Sequence, residues 1–213
     1  MSISSIRLYV SIFLIILFII PVVGQTKYGK LGVGVDFSIL QILGAGSVNA
    51  SPGFGGGINM SVSVVEGIGI RSKFCLNQIN WETEDKSVKT DFLSLNLYLS
   101  GDLMPNSSLN VFPFIGIGFV SYDPKDEISG GRPAYESSFD THFSSGIGLD
   151  YFPNEFWSVT LMPEYVITGS RYYNGPADPG KDSFLRINIQ ARYYFFNQSF
   201  ITKLLETLRA RKK

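Results

Sequence analysis

From residue 31 onwards the chain alternates between apolar and polar positions. Leu31, Val33, Val35, Phe37 and Ile39 are interleaved with Gly32, Gly34, Asp36 and Ser38. The pattern returns with Ile58, Met60, Val62 and Val64 against Gly57, Asn59, Ser61 and Ser63, and then with Ile68, Ile70, Phe74 and Leu76 against Gly69, Arg71, Lys73 and Cys75. It is cleanest where Leu93, Leu95, Leu97 and Leu99 face Ser94, Asn96, Tyr98 and Ser100. A fifth segment, Val111 to Ser121, is apolar on both faces, and its phase stays open. A sixth sets Phe143, Ile147, Leu149 and Tyr151 against His142, Ser144, Gly146, Gly148 and Asp150. The seventh sets Trp157, Val159, Leu161, Tyr165 and Ile167 against Ser158, Thr160, Glu164 and Thr168. The eighth sets Leu185, Ile187, Ile189 and Ala191 against Arg186, Asn188, Gln190 and Arg192. A period of two marks a strand with two unlike faces.

Long connections (Gln41–Pro52, Asn80–Val88, Tyr122–Ser138, Gly169–Asp182) alternate with short ones (Val65–Gly67, Asp102–Ser108, Pro153–Glu155). That rhythm predicts an antiparallel up-and-down barrel with all long loops on one rim. Eight strands place both termini on the short-turn side. Alternation alone also fits a soluble barrel that buries its apolar face. The composition of the other face decides between them. It is small and polar, rich in Gly, Ser, Thr and Asn and sparse in charge, which suits the narrow interior of an eight-stranded barrel rather than bulk water. The apolar face then meets lipid. Aromatics gather at both expected edges. Tyr28, Tyr151, Phe152, Phe156, Trp157 and Tyr193 to Phe196 lie at the short-turn edge, and Trp81, Tyr122, Tyr165, Tyr172 and Tyr173 at the other, as anchors at lipid–water boundaries would.

The ends of the chain add a compartment. Arg7 precedes a charge-free apolar run from Leu8 to Ile20, followed by Pro21-Val22-Val23-Gly24. This is the layout of a secretory signal, with cleavage expected after Gly24. Residues 1–24 are thus read as a signal peptide, 25–198 as the barrel and 199–213 as a periplasmic tail. In the tail, Phe200, Ile201, Leu204, Leu205 and Leu208 recur at helical spacing ahead of basic Arg209 to Lys213, which predicts a short amphipathic helix. Charged residues are 17% of the chain and aromatics 14%, a lean charge content against roughly 25% in soluble domains. The barrel segment is mildly acidic and carries no basic patch interleaved with aromatics, so no nucleic-acid partner is expected. A single cysteine, Cys75, excludes an internal disulfide.

Two stretches carry a resemblance. Phe112-Pro-Phe-Ile-Gly-Ile-Gly-Phe119 and Gly146-Ile-Gly-Leu-Asp-Tyr-Phe152, the latter followed by the Trp157–Tyr165 strand, resemble the outer-membrane β-barrel domain family. That family is common in Bacteroidetes and related to the barrels of outer-membrane proteins A and X. The resemblance implies an outer-membrane barrel and supplies no activity.

Candidate chemistry is confined to the predicted lumen. Asp36, Arg71, Lys73, Asp150, Glu164, Arg186 and Arg192 all fall on its face. A charge in a narrow barrel is costly unless paired, so an internal network is expected, centred on Glu164 and Arg186 with Asp36 and Arg71 as possible members. His142, Ser144 and Glu164 form the one Ser/His/acid constellation that nucleophilic catalysis could use. Some lipid A deacylases place a His-x-Ser pair on an eight-stranded barrel, but theirs is followed by Asn, where this chain has Ser145. Gly53-Phe-Gly-Gly-Gly57 lacks the helix a phosphate loop requires and reads as a strand start where bulky lumen residues would not fit. Asp123, Asp126 and Glu127 are read as solvated loop charge, a weak cation site being the other possibility. No cofactor and no metal are expected.

The expected function is a non-enzymatic structural or surface-interaction role with long loops outside the cell. The alternatives are a narrow passive pore, a lipid A-modifying barrel enzyme and a soluble periplasmic lipid-binding barrel. Expected partners are outer-membrane lipid, lipopolysaccharide and an extracellular ligand held through the loops, with the chain a monomer.

Overall fold

The computed structural model describes residues 30–43, 49–82, 87–126, 132–133, 138–169 and 183–195. The expected signal peptide, Tyr28, Glu127, Tyr172, Tyr173, Phe196 and the tail at 199–213 lie outside the described residues. Eight long strands occur among them: β1 Leu31–Leu43, β2 Asn49–Val65, β3 Ile68–Glu82, β4 Ser87–Gly101, β5 Leu109–Asp126, β6 Ser138–Tyr151, β7 Trp157–Thr168 and β8 Ser183–Phe195. A two-residue piece, Arg132–Pro133, pairs with the end of β5. Every strand is antiparallel to its neighbour in sequence, and β8 pairs with β1 from Leu31↔Phe195 to Leu43↔Ser183. The sheet therefore closes on itself. Closure removes the edge whose unpaired N–H and C=O groups could not be tolerated in lipid. No helix occurs among the described residues.

The strands outrun the alternation that revealed them. β2 and β5 have 17 and 18 residues, against ~9–11 needed to cross a bilayer. Strand structure therefore takes over part of what the sequence suggested were long loops. Only residues 44–48 and 83–86 separate β1 from β2 and β3 from β4, fewer than the residues between β4 and β5. On this side of the barrel it is strand overhang, not loop length, that distinguishes the two rims.

The wall has an apolar outside and a polar inside. Val35, Leu76 and Ile147 are 63%, 63% and 61% exposed, while Asp36, Asn59, Lys73, Glu164 and Arg186 are buried. An unbroken apolar belt of this size is not sustained by a monomer in water; facing hydrocarbon, it is at its lowest free energy. β5 takes a definite phase. Phe112, Phe114, Val120 and Tyr122 point inward with Gly116 and Gly118, while Ile115, Ile117 and Phe119 point outward.

The girdles differ in part from expectation. At the short-turn edge Phe156, Trp157, Tyr193 and Phe195 form one outward-facing cluster, with ring centroids 4.7–6.1 Å apart along Phe156–Tyr193, Trp157–Tyr193 and Tyr193–Phe195. Phe152 and Tyr194 instead turn inward and pack on each other at 5.6 Å, closing that mouth. At the other edge Tyr165 is exposed, but Tyr122 is buried in the lumen. Outward aromatic pairs there are Phe37–Phe54 and Phe119–Phe139.

Inward glycines make room for rings on neighbouring strands. A Cβ on Gly148 would lie 2.1 Å from Phe112 Cζ, and one on Gly116 would lie 2.4 Å from Tyr98 Cδ1. The Gly53–Gly57 run sits inside β2 rather than at its start, with Gly53, Gly55 and Gly57 opposite Leu40, Ser38 and Asp36 of β1. Overpacking of this kind costs about 1–3 kcal/mol. Gly148→Val is therefore expected to lower the urea midpoint of the folded, heat-modifiable form. An unchanged midpoint would show that Phe112 has room to retreat.

Candidate functional site

The described part of the lumen is stacked in four layers. At the mouth opposite the short turns, Leu40, Ile42, Ile79, Phe92, Val120, Tyr122, Val166 and Phe184 form an apolar cluster. A lumen face read as small and polar throughout does not predict this layer. The signal was there, because Leu40 and Ile42 simply continue the inward phase of Asp36 and Ser38 on β1.

Beneath it lies the first charge layer. Glu164 and Arg186 are direct partners across β7 and β8. Arg186 donates from Nε to Glu164 Oε2 at 2.8 Å and from Nη2 to Oε1 at 2.9 Å, a two-pronged contact that suits the planar guanidinium. Lys73 reaches across the lumen to Glu164 Oε2 at 3.3 Å and to Asn188 Oδ1 at 2.7 Å. Tyr98 donates to Glu164 Oε1 at 3.0 Å, and Asn188 Nδ2 donates to Oε2 at 3.1 Å. Asn96 Oδ1 accepts from Arg186 and meets His142 Nε2 at 2.7 Å.

A third layer is apolar: Tyr98, Phe112, Phe114 and Met162. Below it sits a second charge layer. Arg71 pairs with Asp150 at 2.8 Å and stacks 3.5 Å above the Phe112 ring. Arg192 lies 3.7 Å from Asp150, donates to Asn59 Oδ1 at 2.7 Å, and also donates to Gln190 Oε1. Asp102 is 3.7 Å from Arg71, and Thr160 donates to Asp150. Asp102 lies in a short turn by sequence, yet its side chain is buried here.

The seven lumen charges are thus divided, not joined into one network. Arg71 belongs with Asp150 and Arg192, not with Glu164. Asp36 makes no ion pair among the described residues; its carboxylate accepts from the Cys75 thiol at 3.2 Å and from Gln190 Nε2 at 3.4 Å. The reason is height. Glu164 faces Arg186 and Gly146, whereas Asp150 faces Thr160, and the ring layer keeps the two carboxylates apart. With Asp102 included, four cations (Arg71, Lys73, Arg186, Arg192) balance four acids (Asp36, Asp102, Asp150, Glu164).

His142, Ser144 and Glu164 are all buried in this interior. Among the described residues no hydrogen bond joins them. His142 Nε2 is held by Asn96, His142 Nδ1 and Ser144 Oγ have no partner, and Glu164 is committed to Arg186, Lys73, Tyr98 and Asn188. An acid engaged by two cations cannot orient an imidazole, and a buried hydroxyl without a base is not an activated nucleophile. The void beside His142, lined also by Asn77, Ser94, Phe184 and Arg186, measures about 10 Å³, room for one water at most.

Outside the barrel wall, the overhanging strands carry a second cluster. Asp91 and Asp123 face each other across β4 and β5, as do Lys89 and Lys125. Lys125 resolves the like-charge contact diagonally, 3.2 Å from Asp123 and 3.4 Å from Asp91. Asp123 and then Asp91 hold its ammonium above the usual lysine range. Asp126 ends β5, and no group of three possible metal ligands occurs among the described residues.

Removing one partner of a buried pair strands the other, at about 3–5 kcal/mol. Glu164→Ala, which strands Arg186 and Lys73 together, is expected to destabilise the barrel more than Asp36→Ala does. Urea midpoints of the two variants test this, and equal midpoints would contradict the division into layers.

The model of the outer membrane protein beta-barrel domain family matches residues 10–198. Among solved structures the chain is similar to Neisserial surface protein A, at 14% identity and TM-score 0.50, covering 78% of this chain and 97% of that one. It is also similar to Ail, the attachment invasion locus protein of Yersinia pestis, at 15% identity and TM-score 0.49, covering 79% and 99%. A third is OprG from Pseudomonas aeruginosa, at 14% identity and TM-score 0.47, covering 81% and 99%. No curated protein sequence matches. The closed eight-stranded wall, its apolar exterior and the family match over most of its length make this chain a member of the outer membrane protein β-barrel family, resident in the outer membrane.

Proposed function

We propose that the protein is a closed, non-enzymatic barrel that serves a structural or surface-contact role through its extracellular edge. The observation that carries this reading is the filled lumen. Two ion-paired layers, a ring layer and an apolar mouth occupy the interior, and the void beside His142 holds one water at most. A permeating solute would have to displace buried charges that are already paired.

What remains available to a partner is the outer surface. Above the lipid-facing belt, Phe54, Leu76 and Leu93 floor a groove of about 470 Å³ whose upper rim is Gln78, Asp91 and Asp123. Apolar floor and polar rim meet where hydrocarbon gives way to headgroups. The groove therefore suits outer-leaflet lipid below and an extracellular ligand above. The stretches Tyr122–Ser138, net acidic, and Gly169–Asp182, net neutral, are the proposed contact surface. The closed wall leaves no unpaired strand edge that calls for a second copy, which supports a monomer.

In planar bilayers the purified protein is expected to give no discrete channels. Well-defined openings whose size changes in Glu164→Ala would overturn the closed reading in favour of a pore. Lipid A from cells making the protein is expected to keep its acyl chains, and loss of a chain that Ser144→Ala abolishes would instead establish an enzyme.

A further inference from the structure

The wall is not equally strong all round. β6 and β7 pair from His142↔Thr168 to Gly146↔Glu164, and again from Leu149↔Leu161 to Tyr151↔Val159. The register is the same on both sides of the gap, so no residue has been inserted. Two pairs, Ile147 with Pro163 and Gly148 with Met162, are missing. Proline has no N–H, so it cannot complete its rung of the ladder. Its carbonyl oxygen faces β6, lying 2.2 Å from where a Cβ on Gly146 would stand. In an antiparallel strand the N and O of one residue point to the same side, so the absent donor also faces β6. On the other flank of Ile147 stands Pro113, and the β4–β5 ladder ends one residue before it, at Ser100↔Phe114. The β2–β3 ladder is also interrupted, between Ser51 and Phe54 and between Ser63 and Val65, but those breaks lie near the ends of β2 and shift the register, whereas the β6–β7 gap keeps it.

Inside the wall at the same level lies the ring layer, the one lumen layer below the mouth without an ion pair. Here the inner surface of β6 is Gly146 and Gly148, so nothing but backbone separates Phe114 and Phe112 from the seam. A Cβ at Gly146 would lie 2.7 Å from Phe114 Cζ. Outside stands Ile147, among the most exposed side chains of the lipid belt. Hydrocarbon and an apolar lumen layer are therefore separated by two side-chain-free residues and an incomplete ladder. In the hydrocarbon region an unmade backbone hydrogen bond has no water to replace it, which makes this the place where the wall parts at least cost.

We propose that the layer of Tyr98, Phe112, Phe114 and Met162 is a binding site for a lipid acyl chain, entered sideways from the bilayer through the seam between β6 and β7. Phe114 is the group that moves, because its ring rests on bare backbone. The charge layers above and below stay paired and confine the guest to this depth. An acyl chain held there leaves the lumen closed to ions, so the site is compatible with a barrel that does not conduct.

The test uses the full-length folded protein in phosphatidylcholine nanodiscs doped with a lipid carrying a diazirine midway along one acyl chain. After photolysis, adducts are mapped by mass spectrometry. Lipid-facing Ile147 and Leu161 serve as the internal reference. Adducts are expected on Phe114 and Met162 as well. Pro163→Val restores one backbone hydrogen bond, so labelling of these two is expected to fall about two- to tenfold while Ile147 and Leu161 are unaffected. A paired Ser145→Cys, Tyr165→Cys variant, two positions directly opposed across the seam, supplies an independent clamp: labelling falls on oxidation and returns on reduction. Adducts confined to lipid-facing residues, or lumen labelling that neither closure reduces, would overturn the proposal.

Discussion

Everything inside this protein follows from one electrostatic constraint. An eight-stranded barrel is just wide enough to be filled by side chains, so a charge placed within it meets protein and not water. Arg186 and Lys73 share Glu164, and Arg71 and Arg192 share Asp150. Of these, Lys73–Glu164 and Arg71–Asp150 run across the lumen between strands far apart in sequence, while Glu164–Arg186 joins neighbours. The charge layers therefore tie opposite walls together as well as neutralising one another. The polar residues around them, Asn96, Tyr98, Asn188 and Thr160, take up the remaining donors and acceptors. A half-satisfied network would be worse than none.

The exterior obeys the opposite rule. There the solvent is hydrocarbon, and the belt from Val35 to Ile189 carries aliphatic side chains with aromatic clusters at its edges. The two faces together explain the period-two sequence. Glycine enters for a steric reason: rings from one strand occupy the space that a neighbouring side chain would fill, as Phe112 does over Gly148 and Tyr98 over Gly116. Where the rule is relaxed, at Pro163, the ladder itself is interrupted.

Much of this was legible in the sequence. The strand count, the polar lumen and the Glu164–Arg186 contact all follow from alternation plus the short step from β7 to β8. What was not legible depends on three-dimensional height. Arg71 and Glu164 share a face in projection, yet a ring layer separates them in height; it is Lys73, two residues further along β3, that reaches Glu164 across the barrel. Tyr122, Phe152 and Tyr194 read as girdle residues because aromatics near an edge look alike in sequence, whether they point to lipid or close a mouth. The phase of β5 was hidden for a related reason: Phe112 and Phe114 are apolar residues on the polar face, placed there to fill a layer. The His142–Ser144 pair shows the converse. Spacing brought two reactive residue types to one side of a strand, but the nearby carboxylate was already held by two cations.

The central claim is that buried charges in the lumen stabilise the barrel as mutually dependent pairs. A double-mutant cycle on Glu164→Ala and Arg186→Ala, read from urea midpoints in lipid vesicles, addresses it most directly. The account predicts that the double variant is less damaged than the sum of the singles, with a coupling of about 0.5–3 kcal/mol. Effects that simply add, within about 0.5 kcal/mol, would contradict it and mean that each charge is accommodated independently of the other.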